Sequence, residues 1–245
     1  MRQFGLIGFP LSHSFSKRFF TEKFEREGLT DCGYELYPLQ SIAELPGLLK
    51  KIPALEGLNV TIPYKKQVIP FLNEREGIPS SLDACNCIRI RDGKLTGYNT
   101  DIFGFRQSLQ PLLQSHHQKA LVLGNGGASA AVIHVLRQLK IEFELLSRQL
   151  HTGSTCRYSD LTKEMTESHT LIINTTPLGM HPDTESCPDI PYQYLSSKHL
   201  LYDLVYNPGI TSFMQKGMQK GATVKNGEEM LILQAEESWR IWNSV

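Results

Sequence analysis

Lys119-Ala120-Leu121-Val122-Leu123-Gly124-Asn125-Gly126-Gly127-Ala128-Ser129 is the stretch on which the fold turns. Its apolar run 120–123 has the texture of a strand buried on both faces, as in a parallel sheet covered by helices. The run feeds a glycine-rich turn, then a helical pattern that starts near Ala128 and continues through Leu139. Glycines so placed let the chain turn sharply and bring backbone N–H groups against a pyrophosphate, toward which the helix points its positive end. The pattern is not G-x-G-x-x-G, because Ser129 stands sixth. An ordinary glycine-rich turn between strand and helix therefore competes with the dinucleotide reading.

Outward from this turn the rhythm repeats. Phe143-Glu144-Leu145-Leu146, Leu171-Ile172-Ile173-Asn174 and Leu200-Leu201-Tyr202-Asp203-Leu204 recur at intervals that leave room for crossover helices, which predicts a parallel sheet. Residues 151–155 read as a polar loop. Leu145-Leu146-Ser147-Arg148 ends the second strand, where NAD-specific folds present a carboxylate to the ribose 2′-hydroxyl. None is present. Arg148 instead offers a planar fork of donors suited to a 2′-phosphate, which favours NADP, although a solvated arginine at a strand end is the plainer alternative.

The preceding hundred residues open as β-α-β. Residues 3–8 and 34–39 have strand length, and Phe15, Phe19, Phe20 and Phe24 recur between them at helical spacing. Residues 58–62 make another strand, followed by Pro63 and a short helical stretch ending near Leu72. Residues 86–91 and 94–98 flank Asp92-Gly93, a two-residue hairpin signal. The first domain is read as 1–101 and the second as 102–227. Residues 228–242 form one helical pattern, apolar at its start and more polar later.

Composition bounds the function classes. The 245 residues are 40% hydrophobic and 20% charged, a mixture that buries a core and excludes a disordered chain. Lys plus Arg (25) balances Asp plus Glu (25), so no bulk field favours nucleic acid or an anionic membrane. No apolar run is long enough to span a bilayer. The opening Met1-Arg2-Gln3-Phe4-Gly5-Leu6-Ile7-Gly8 carries too short an apolar stretch for a signal peptide. Five cysteines, an odd number, suggest reduced thiols in the cytoplasm. Cys85, Cys87, His116 and His117 lack zinc-ligand spacing, so no metal is expected. The chain is taken as a monomer or homodimer.

In the first domain, polar residues interrupt apolar patterns. Ser12, Ser14 and Ser16 surround His13 at a helix start, Asn59 and Thr61 break a strand, and Lys65, Asn86 and Asn99-Thr100-Asp101 follow. Each alone has a structural explanation as a cap or a turn partner. As a set they suit a small polar ligand.

With these residues quoted, the sequence resembles the shikimate dehydrogenases. Leu11-Ser12-His13-Ser14-Phe15-Ser16 is similar to the family's HSxSP-type substrate loop, with Lys17 where proline is usual. Leu58-Asn59-Val60-Thr61-Ile62-Pro63-Tyr64-Lys65 resembles NVTxPxK, the most specific segment, and Asn99-Thr100-Asp101 resembles NTD with Ile102 in place of glycine. The 124–129 turn is close to GxGGAS, and Ser147-Arg148-Gln149 stands at an NRT position. Asn174-Thr175-Thr176-Pro177-Leu178-Gly179-Met180 resembles NxTxxGM, and Tyr202-Asp203-Leu204-Val205-Tyr206-Asn207-Pro208 resembles YDxxYxP. Asn226-Gly227-Glu228-Glu229-Met230-Leu231, with Gln234, resembles DGxxML…Q. These matches run in family order over nearly the whole chain.

The resemblance implies an α/β protein with an N-terminal substrate domain, a Rossmann-type NADP-binding domain, a cleft between them, and a C-terminal helix, 228–245, returning to the first domain. It implies reversible NADPH-dependent reduction of 3-dehydroshikimate to shikimate, on the route to chorismate and the aromatic amino acids. By the same carry-over, Ser14, Ser16, Asn59, Thr61, Asn86, Tyr206 and Gln234 bind substrate. Gly124, Asn125, Gly126, Gly127, Ala128, Ser129, Ser147, Arg148, Leu204, Gly227 and Met230 border the cofactor. Lys65 is the expected proton donor to the developing alkoxide, and Asp101 holds its ammonium. A carboxylate partner favours the ammonium form, so Lys65 is expected to position and polarise more than to transfer. The competing readings are an NAD-using quinate/shikimate dehydrogenase, disfavoured by Arg148, and a non-catalytic sensor, disfavoured by retention of both Lys65 and Asp101. The departures at Lys17, Cys87, Ile102 and Glu229 lie beside the functional positions and bear on efficiency more than on activity.

Overall fold

The first strand, β1 (Arg2–Gly8), runs parallel to two neighbours, β2 (Cys32–Pro38) and β3 (Leu55–Val60). In the computed structural model, which describes residues 1–11, 14–148 and 155–244, α1 (Phe15–Glu27) links β1 to β2 and turns Phe20 and Phe24 into a shared core with Phe4. Ser12, His13, Gln149 and, of the loop expected at 151–155, residues 151–154 lie outside the described residues. α2 (Leu45–Lys51) joins β2 to β3. The strand expected at 58–62 stops at Val60, because the Thr61 carbonyl accepts the Tyr64 N–H and opens a turn through Pro63. The helical stretch that follows is two pieces, α3 (Tyr64–Gln67) and a 3₁₀ turn at Ile69–Phe71.

β4 (Glu74–Gly77), β5 (Cys87–Arg91) and β6 (Lys94–Tyr98) complete this sheet, in the order β2-β1-β3-β5-β6-β4. β5 and β6 are antiparallel, and Asp92 and Gly93 both have positive φ (47° and 73°), as a two-residue hairpin matched to strand twist requires. α4 (Thr100–Leu109) follows.

The second sheet is parallel throughout. β7 (Lys119–Leu123) is followed by α5 (Gly127–Gln138), β8 (Glu142–Ser147), β9 (Cys156–Arg157), α6 (Lys163–Ser168) and β10 (Leu171–Asn174). β11 (Leu200–Asp203), α7 (Ser212–Met218) and β12 (Thr223–Lys225) come next. The order is β12-β11-β10-β7-β8-β9. Residues 120–123 are completely buried, as a strand covered on both faces demands. Winding outward in both directions from β7 and β10 puts a topological switch point at their carboxyl ends, where such sheets bind nucleotides. One expected crossover helix is absent: β10 reaches β11 through a loop with a single 3₁₀ turn, Tyr192–Tyr194. Pro177, Pro182, Pro188 and Pro191 fall in that loop and remove the backbone donors a helix needs.

α8 (Glu228–Asn243) is one helix, as its periodicity predicts, but its burial runs against the polarity of its sequence. The later half is the more buried: Ala235, Ser238, Ile241 and Trp242 are enclosed, and the Trp242 ring stacks on Phe4 with centroids 4.9 Å apart. The chain divides into two units, Met1–Phe103 with Gln234–Val245, and Gly104–Leu233. The divisions read from sequence fall after 101 and after 227. Among the described residues no helix is long and apolar enough to cross a membrane.

Candidate active site and cofactor cradle

In the first unit, the turn after β3 delivers Lys65 and the start of α4 delivers Asp101. Lys65 Nζ lies 2.5 Å from Asp101 Oδ2, and neither side chain is fully enclosed, so the pair can meet a ligand. The other oxygen of Asp101 accepts a bond from Asn86 Nδ2 at 2.9 Å. Asn86 is buried at the entry to β5 and is itself fixed: Nδ2 also donates to Thr100 Oγ1 at 3.0 Å, and Oδ1 accepts the Thr100 N–H at 2.7 Å. Asn59, on β3, donates to the Asn86 carbonyl (3.3 Å) and to Ser238 Oγ (3.0 Å), and accepts the Tyr34 hydroxyl at 2.8 Å. Ser16 hydrogen-bonds the Tyr34 phenol, whose burial pushes its titration well above the usual tyrosine range. Gln234 Oε1 lies 3.4 Å from Thr100 Oγ1.

The structure therefore joins Ser16, Asn59, Lys65, Asn86, Asp101 and Gln234 in one polar network. Ser14 is the N-cap of α1, accepting the Lys17 N–H at 3.3 Å, so the capping explanation describes its contact within the chain. Thr61, half-buried, pairs its backbone with Ile7 and Tyr64. Tyr206 belongs to the second unit and is 37% exposed.

In the second unit, Gly124 has φ 101°, and a methyl group there falls 2.6 Å from Thr176 Cγ2, so the backbone itself requires glycine. Gly126 and Gly127 differ. A methyl group on either meets no protein atom within 4 Å, and Gly126 has an ordinary φ of −91° as the N-cap of α5. Nothing inside the protein demands glycine there, and a bare backbone of this kind is what lets a pyrophosphate approach the β-α turn of a dinucleotide-binding fold. Ser129 accounts for its departure from the glycine pattern: its hydroxyl donates to the Gly126 carbonyl at 2.6 Å and closes the first turn. Asn125 is exposed and Ala128 half-buried on the same turn. Thr175 Oγ1 donates to the carbonyls of Leu123 and Gly124 (2.8 and 3.0 Å), tying the loop after β10 to the cradle.

Ser147 is buried at the end of β8, and Arg148 beyond it is exposed, its charge near the Tyr158 phenol, which burial pushes up to about 12. Leu204 is held by an N–H bond to the Asn174 carbonyl at 2.9 Å, and a methyl group on Gly227 falls 2.2 Å from the Leu204 carbonyl oxygen. Gly227 is thus glycine because the two backbones touch. Met230 is buried on the first turns of α8.

A model of the shikimate dehydrogenase substrate binding domain matches residues 6–88. A shikimate dehydrogenase (NADP(+)) of Halothermothrix orenii is 35% identical, over 98% of this chain and 90% of its own. Another, from Desulforamulus reducens, is 32% identical over 97% of this chain and 88% of its own. The chain belongs to the shikimate dehydrogenase family. Among solved structures, shikimate 5-dehydrogenase from Thermus thermophilus, in complex with NADP(H) and shikimate, is similar with a TM-score of 0.86 at 29% identity, over all of this chain and 94% of that one. The ligand-free 5-ketofructose reductase of a Gluconobacter species has a TM-score of 0.81 at 22% identity, covering 99% and 92%, and shares the fold.

Against the family pattern, Lys17 replaces proline and ties the first turn of α1 to β2, through an ion pair with Glu35 (2.6 Å) and a bond to the Tyr34 carbonyl. Ile102 keeps its N–H on Asn99 Oδ1 at 3.2 Å. Thr100 is quoted in the sequence reading with Asn99 and Asp101 but given no role of its own, so it had a signal; Tyr34 and Ser238 are not among the site residues read there. Neither had a signal, since each reads as part of an amphipathic element.

Proposed function

We propose that this chain catalyses the reversible NADPH-dependent reduction of 3-dehydroshikimate to shikimate, with Lys65 and Asp101 handling the proton. The observation that carries the reading is the accessible Lys65–Asp101 pair, held at 2.5 Å and backed by Asn86. Bound NADPH supplies the hydride that reduces the ketone carbon. As negative charge grows on the ketone oxygen, the Lys65 ammonium donates to it, leaving one N–H on Asp101 to fix its direction. In the reverse direction Lys65, as the neutral amine, takes the hydroxyl proton. The first unit supplies hydroxyl and amide groups for the ring and carboxylate, from Ser14, Ser16, Thr61, Asn59, Asn86 and Gln234; Tyr206 is a further substrate-binding hydroxyl in this reading. In the second unit the 124–129 turn, Ser147, Arg148, Leu204, Gly227 and Met230 border the dinucleotide. All five cysteines are free thiols, which suits a reducing compartment, the cytoplasm. The protein acts as a monomer or homodimer.

The testing experiment is an assay in both directions: NADP reduction with shikimate, and faster NADPH oxidation with 3-dehydroshikimate near neutral pH. Folded protein with no turnover either way sinks the enzyme reading in favour of a sensor, and turnover of quinate with NAD favours the related dehydrogenase.

Arg148 sets the cofactor preference in this reading. Charge-assisted hydrogen bonds contribute ~1.5–3 kcal/mol, so a ten- to roughly hundredfold NADP preference in kcat/KM follows from one arginine. Arg148→Ala is expected to cut NADP efficiency by that factor and leave NAD efficiency nearly unchanged, measured with the two cofactors side by side. Equal losses with both identify Arg148 as a support of the fold instead.

A further inference from the structure

The polar network of the first unit has a direction, and the direction is set far from Lys65. Ser238 is completely buried on α8 and spends its own proton on the Gln234 carbonyl at 2.9 Å. Toward its other neighbours it is therefore an acceptor. It takes one proton from Asn59 Nδ2 at 3.0 Å and faces Thr100 Oγ1 at 3.3 Å. Tyr34, donating to Asn59 Oδ1 at 2.8 Å, fixes which end of the Asn59 amide points at Ser238. Thr100 Oγ1 has three acceptors in reach, Ser238 Oγ and Asn86 Oδ1 at 3.3 Å and Gln234 Oε1 at 3.4 Å; the Ser238 oxygen draws its proton away from Asn86, leaving a lone pair for Asn86 Nδ2, whose second proton goes to Asp101 Oδ1. Asp101 then presents Oδ2 to Lys65.

We infer that Ser238, oriented through Tyr34 and Asn59, is a positioning residue for the Lys65–Asp101 pair, setting the donor order that aims the ammonium. This rests on the reading in which Lys65 and Asp101 handle the proton. Ser238 is sealed from solvent, so its influence on the ketone passes through Asp101. Removing its oxygen leaves one amide proton of Asn59 without an acceptor and releases the Thr100 proton to Asn86 Oδ1 or Gln234 Oε1, so the order of donors around Asn86 is no longer fixed.

The test is steady-state kinetics on the full-length chain, shikimate with NADP. Ser238→Ala is expected to lower kcat about tenfold, the scale of a misaligned catalytic group, while KM for NADP stays unchanged. Tyr34→Phe keeps the ring stacked on Phe20, 4.6 Å between centroids, and removes the hydroxyl alone. It is expected to lower kcat in the same way, and it carries the test if Ser238→Ala does not fold. In a Lys65→Ala background neither substitution lowers kcat further, because both act through the ammonium. Wild-type kcat in both single variants, or losses that multiply in full with that of Lys65→Ala, overturns the inference. Wild-type kcat in Lys65→Ala alone overturns the acid–base reading beneath it, a result that needs neither positioning variant.

Discussion

Lys65→Ala is expected to lower kcat by ~10²-fold or more while substrate binding weakens less, the usual scale for a positioned acid or base. The reason is geometric. One ammonium proton is committed to Asp101 Oδ2 at 2.5 Å, and the side chain is 23% exposed, so the remaining protons are available to a ligand oxygen. The ketone oxygen becomes strongly basic only as hydride arrives, so the bond from Lys65 strengthens toward the transition state and its loss appears in kcat. Asp101→Asn is also expected to be slow, because an amide presents Lys65 with a weaker acceptor and disturbs the Asn86 bond on the other oxygen. Stopped-flow and steady-state measurement of NADPH oxidation checks both. If each variant kept wild-type kcat and raised only KM, Lys65 and Asp101 would be binding groups and the proton chemistry would lie elsewhere.

Asp203→Asn is expected to stabilise the protein at neutral pH relative to its effect in acid. Asp203 ends β11 with no solvent exposure, and burial pushes its carboxyl up to about 6, although Asn174 Nδ2 (2.9 Å), the Val205 N–H (3.0 Å) and the Thr211 hydroxyl (2.6 Å) all favour the charged form. A carboxyl with a raised folded-state value binds more protons folded than unfolded between about pH 4 and 6, so its contribution to stability falls as pH rises through that window. The full cost, present at pH 7 and above and absent below about pH 4, is about 3 kcal/mol. Asparagine keeps one oxygen for Asn174 and Val205 and turns its amide toward the Thr211 oxygen, with no charge to bury. Urea unfolding of both proteins at pH 7.5 and pH 4.5 is expected to differ by about 2 kcal/mol more in the variant's favour at the higher pH. Any cost of the substitution that does not depend on pH cancels in that comparison. An equal difference at both pH values would show that Asp203 titrates normally.

The 119–129 strand and turn, the Asp92-Gly93 hairpin and the single helix α8 are all legible in the sequence, because each is written in neighbours a few residues apart: a burial period, two residues suited to positive φ, a 3.6-residue repeat. Motif order likewise brought Lys65, Asn86 and Asp101 to notice one by one. What lay beyond reach had partners distant in the chain. β4, Glu-Arg-Glu-Gly, has no apolar alternation and is a strand only because β6 lies beside it. The polar later half of α8 is buried because Phe4, Phe20 and Phe24 surround its two tryptophans, a fact that the helix's own residues do not carry. Ser238 meets Asn59 across 179 positions, and Tyr34 meets it across 25. A local pattern specifies which face of an element avoids water. Which donor finds which acceptor on that face is settled when the elements pack and every buried polar group must be paired at once.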